Sequence, residues 1–144
     1  MTPAMPLSTA LELVTLAHQE AQRRTISVSA AVVDAGGHLV AFGRMDGAEI
    51  AGPTLATDKA FTAVAHSIAT EELAVLAAPG GELFGLHSNG AGRYVIFGGG
   101  IPLHQDGAIV GGIGVSGSTS DNDIACAKRA VEYFSSLSQT KPVA

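Results

Sequence analysis

Residues Ile26 to Met45 read ISVSAAVVDAGGHLVAFGRM, and this stretch decides the fold. Small and β-branched side chains fill Ile26 to Val33, the turn signal Asp34-Ala35-Gly36-Gly37 interrupts them, and a second strand-like run follows from His38 to Met45. Gly36 and Gly37 can take positive φ, as a tight reversal requires, so the stretch reads as a β-hairpin. The same logic identifies a second hairpin, in which Ile101–Gln105 and Ala108–Ser116 flank Asp106-Gly107. Strands joined by such short turns pair antiparallel; parallel strands would need crossover helices.

Outward from the first hairpin, Leu7 to Arg24 has helical periodicity, with Ala10, Leu13, Val14, Ala17 and Ala21 on one face. Thr9 and Glu12 have capping-box spacing at its start. Leu55–Ser67 and Thr70–Ala77 read as two further helices, and Asp121–Leu137 as the last, with Ser120 at its N-cap. Between them Pro79 to Gly100 is loop-like around a short strand at Tyr94–Phe97. The order α-β-β-α-α-β-β-β-α gives an α+β chain with a mainly antiparallel, five-stranded sheet flanked by helices, read as one domain over residues 1–144.

Composition narrows the function. Charged residues make up 15% of the chain against 47% apolar, so a homo-oligomer that hides surface between copies is expected. A net charge of −5, with eight basic residues scattered along the sequence, argues against a nucleic-acid partner. The closest basic pair is Arg23-Arg24. A single cysteine, Cys126, fits a reducing cytoplasm, and the N-terminal residues lack the basic and apolar regions of a signal peptide. No apolar run is long enough to span a membrane.

Four segments carry a family resemblance: VVDAGGHLVAFGRMDG (Val32–Gly47), DKAFTA (Asp58–Ala63), GGGIPL (Gly98–Leu103) and DGAIVGGIGVSGSTSDND (Asp106–Asp123). In content, order and separation they resemble the GlcG/HbpS family, and the resemblance runs from the first helix to the last. It implies a profilin-like, five-stranded architecture assembled into dimers and larger oligomers. It further implies binding of haem or a related planar or carboxylated ligand, in a family that includes haem-binding sensors, domains attached to corrinoid adenosyltransferases, and proteins encoded among catabolic genes. After the second helix such proteins commonly carry a basic, proline-containing stretch. Here the sequence is AVAHSIATEEL, so local electrostatics differ.

His18 lies about 80° from the centre of the apolar stripe of the first helix, at ~100° per residue. The resemblance makes it the candidate axial ligand for haem iron; the alternative is a surface histidine beside Gln19 and Gln22. Arg44 can grip a carboxylate or haem propionate, or else pair with Asp46 to fix its loop. Lys59, Thr62 and His66 share one stripe of the second helix at i, i+3 and i+7. That stripe is either a solvated edge or the wall of a polar pocket, completed by Gly99 and Gly100. In a pocket Lys59 would hold a carboxylate and His66 would relay a proton, as in an enzyme isomerising, hydrating or hydrolysing a small organic acid. Gly98–Gly100 precede a strand rather than a helix, so they do not make a phosphate loop. Ser116 lacks the nucleophile elbow of a serine hydrolase, and Cys126 reads as helix packing.

Overall fold

A computed structural model describes residues 5–139; the expectations for residues 1–4 and 140–144 lie outside the described residues. The elements are α1 (Leu7–Arg23), β1 (Ser29–Asp34), β2 (Leu39–Arg44), α2 (Gly52–His66), α3 (Thr70–Leu76), β3 (Gly100–Gln105), β4 (Ala108–Ser116) and α4 (Ser120–Gln139). The strands form one antiparallel sheet in the order β2-β1-β4-β3. Both hairpins are present. Asp34 Oδ1 accepts the N–H groups of Gly36 and His38, each at 2.9 Å, and stabilises the first turn. Asp106 and Gly107 take φ of 52° and 80° in the second, the left-handed pair that a two-residue hairpin turn demands.

The described sheet has four strands, which corrects the five-stranded, profilin-like expectation. The missing strand is Tyr94–Phe97, which crosses α2 as irregular chain. One of its backbone donors is satisfied by a side chain instead of a ladder. The Val95 N–H donates to Thr62 Oγ1 at 3.0 Å, and the same oxygen lies 3.2 Å from the Arg93 carbonyl. A backbone donor already paired inside a helix-facing loop has no need of a neighbouring strand.

Helix starts also differ from the sequence reading. Pro6 precedes α1, and the Glu12 carboxylate accepts the Tyr133 hydroxyl across to α4 rather than closing a capping box. Pro53 moves the start of α2 forward to Gly52, because its fixed φ suits a first turn. At α4 the capping oxygen is Thr119 Oγ1, which accepts the Asn122 N–H at 3.2 Å, so Ser120 falls inside the helix.

Three layers result. α1 and α4 cover one sheet face, where Leu13, Val14, Val32, Ile113, Val115, Cys126 and Phe134 form the core. α2 covers the other, almost without side chains between. A Cβ on Gly114 would sit 2.0 Å from the Ala56 carbonyl oxygen, and one on Gly112 2.8 Å from that of Ala60. Glycine in the strand and alanine in the helix thus let two backbones touch, and the sheet acquires one thick apolar core and one thin seam.

Candidate functional site

Two polar loci emerge, and the sheet separates them. The first lies where α1 crosses the edge strand β2. His18 Nε2 donates to the Gly43 carbonyl at 3.0 Å; a carbonyl only accepts, so Nε2 holds the proton and Nδ1 keeps its lone pair. The ring packs closely against Gly43, where a Cβ would come within 2.7 Å of His18 Cε1 and 3.1 Å of Val14 Cγ1. His18 is half-buried, and that desolvation holds its pKa below the ordinary histidine value, with the Gly43 bond opposing. Leu7 and Leu11, spaced i−11 and i−7 from His18, extend the same flank of α1 and are 57% and 49% exposed. A neutral imidazole beside an open apolar strip suits a ligand that is flat and apolar with a metal at its centre.

Arg44 follows Gly43 on β2, and strand alternation turns its side chain to the opposite sheet face. Its guanidinium does not pair with Asp46. Nε donates to the Ala48 carbonyl at 3.1 Å and Nη2 to the same oxygen, which closes the loop into α2.

The second locus is on the α2 side. Lys59 is 1% exposed; its ammonium donates to the Val115 carbonyl at 2.9 Å and to Asp123 Oδ2 at 3.2 Å. Asp123 also accepts the N–H groups of Gly117 and Ser118, at 3.4 and 3.0 Å. Burial pushes Lys59 down and Asp123 up, and the charge of each partner pulls the other back. Gly99 passes over Nζ at φ 128°, where a Cβ would lie 2.8 Å from Nζ and 2.4 Å from the Val115 oxygen. Gly100 is held by the Thr70 hydroxyl, which accepts its N–H at 2.9 Å. Phe97 covers the ammonium with its ring centre 5.1 Å from Nζ.

Thr62 is buried under the 93–95 segment as described, and His66 stands further along α2. There His66 Nδ1 approaches the Thr62 carbonyl at 3.4 Å, and its ring meets Tyr94 edge-on at 4.5 Å. Lys59 and His66 share a helix stripe but have different partners, Val115 and Asp123 for the ammonium and Thr62 and Tyr94 for the imidazole. Within one copy of the chain, then, His18 stands apart from Lys59, Thr62, Gly99 and Gly100. Sequence reasoning missed Asp123 as the partner of Lys59, because the two lie 64 residues apart and no motif links them. Among the described residues no three histidine, cysteine or acidic side chains cluster as a metal site. No described helix is long and apolar enough to cross a membrane.

The model of a family described as haem degrading protein HbpS-like matches residues 5–132. The corrinoid adenosyltransferase PduO of Salmonella typhimurium is 39% identical over 120 residues, covering 83% of this chain and 36% of its own length. The chain therefore spans little more than a third of that relative. Among solved structures, the Klebsiella pneumoniae protein ORFY matches with a TM-score of 0.89 at 32% identity, over 92% of this chain and 91% of its own. A complex of PduOC with haem matches with a TM-score of 0.84 at 38% identity, over 87% and 91%.

Proposed function

This chain belongs to the HbpS-like family, and from that premise we propose that it binds haem, with His18 as the iron ligand. The observation that carries the reading is the state of His18: half-buried, proton-free on one nitrogen, and set at the open edge of the sheet beside Leu7 and Leu11. The likeness to a structure solved as a PduOC–haem complex supports it. The residues fit the group, since iron takes a neutral imidazole and a porphyrin ring takes apolar side chains. Bound haem would supply a redox-active iron.

The protein's part is orientation and exclusion. The Gly43 carbonyl fixes the imidazole plane, and an iron bond through Nδ1 would leave that hydrogen bond intact. Ligation through Nε2 would instead require the ring to turn off Gly43. Leu7 and Leu11 would exclude water from one side of a bound ring. Arg44 faces away from His18 within one copy, so its use toward a propionate requires a pocket completed by a second copy. The Lys59 ammonium already has two oxygen partners, which leaves the reading of Lys59 and His66 as a catalytic pair without a supporting contact.

A hemin titration followed by absorbance tests the proposal. The protein should give a saturable, shifted Soret band at one haem per chain or per pair of chains, and His18→Ala should abolish or shift it. A band of unchanged position and affinity in His18→Ala refutes the assignment.

A further inference from the structure

The basic residues that look scattered in the sequence are gathered by the fold. A cleft of about 330 Å³ runs between the C-terminal end of α1 and the middle of α4, lined by Glu20, Arg23, Arg24, Lys128, Arg129 and Glu132 over a floor at Ala125. Four of the chain's eight basic residues face it against two of its thirteen acids. The rest of the chain therefore carries four cations against eleven carboxylates. In so acidic a protein this is a local reversal of sign, and a concave one.

The geometry divides the work between the walls. On α1, Glu20 accepts from the guanidiniums of both Arg23 and Arg24, and they hold its carboxyl down at about 2. Arg24 also reaches α4 through Asn122 Oδ1 at 3.3 Å, which ties the two walls together. On α4, Lys128 and Arg129 are exposed, and neither has an ion-pair or hydrogen-bond partner among the described residues. One wall is thus pre-ordered and the other supplies unengaged charge. Ala125, one turn before Lys128 and Arg129, leaves the floor free of any long side chain. Glu20 is two residues from His18, about 200° round the helix, so the cleft opens on the opposite flank of α1 from the proposed haem ligand.

We propose that this cleft is a second binding site, for a small polyanion bearing two or more phosphate groups. Guanidinium forks suit phosphate oxygens, and a lysine beside them adds a point charge without directional demand. Two linked phosphates match a site with cations on facing walls better than a single carboxylate does.

Calorimetric titration of the full chain with inorganic pyrophosphate provides the test, in low salt and in about 0.3 M salt. The expected result is saturable binding at one site, weakened by salt. Lys128→Ala and Arg129→Ala should each reduce affinity at least about fivefold, and Glu132→Gln should increase it. These side chains are exposed, and unchanged circular dichroism would establish that each variant is folded. His18→Ala should bind pyrophosphate as the parent does, so this site stands or falls apart from haem. Absence of saturable heat overturns the proposal. So does an affinity that neither alanine variant changes, or binding of an acidic polypeptide where pyrophosphate fails.

Discussion

At the scale of a single residue, His18 sets the pH dependence. Its folded pKa lies below the ordinary value of about 6.5, so the native state resists a proton that the unfolded chain accepts. The stability tied to neutral His18 is therefore complete above about pH 6.5 and is lost as pH falls through the folded value. Urea unfolding across pH 7.5 to 5 should show the parent losing more stability on acidification than His18→Phe does; equal losses would contradict this. Gly43 is the matching position on β2. In Gly43→Ala the new methyl would meet His18 and Val14, so stability should fall by about 1–3 kcal/mol and hemin affinity with it. Cys126 is the contrasting case: burial raises its thiol to about 11, which leaves it a packing group in the α1–α4 core.

Elements are joined by two buried polar devices, and these explain what was and was not legible. Lys59 and Asp123 pin α2 to the end of β4 and the start of α4. Removing either partner strands a charge, so Lys59→Met or Asp123→Asn should each cost about 3–5 kcal/mol. The double variant should be less destabilised than the sum, and simple additivity in the cycle would show that the pair is not coupled. Thr62 is the second device. Thr62→Val keeps the shape but orphans the Val95 N–H, for a loss of about 1–3 kcal/mol in denaturant unfolding. The hairpins were readable because Asp-Ala-Gly-Gly and Asp-Gly encode their turns within a few residues. A strand at Tyr94–Phe97 was not, since its apolar run is the same whether a ladder or the hydroxyl of Thr62 takes its N–H. The partner of Lys59 was equally invisible: 64 residues separate it from Asp123, and only the packed fold closes that distance.

At the scale of the whole molecule, β2 is an edge strand with no further strand beside it among the described residues, with Leu39 53% exposed upon it and Ile50 92% exposed in the loop that follows. Open edges and exposed apolar side chains call for cover, so association of at least two copies is expected. Light scattering at micromolar concentration should return a mass of at least twice 14.5 kDa. A monomer would remove the second copy from the haem reading and leave Arg44 unable to join His18. The gathering of Arg23, Arg24, Lys128 and Arg129 is likewise a property of the assembled fold, because α1 and α4 are the two ends of the sequence and meet only in the finished layer. Resonance Raman spectroscopy of the ferrous haem complex tests the central claim most directly, since it reads the iron–imidazole bond itself. An iron–histidine stretch should be present in the parent protein and in His66→Ala, and absent in His18→Ala. Persistence of that stretch in His18→Ala, or its loss in His66→Ala alone, would contradict the account.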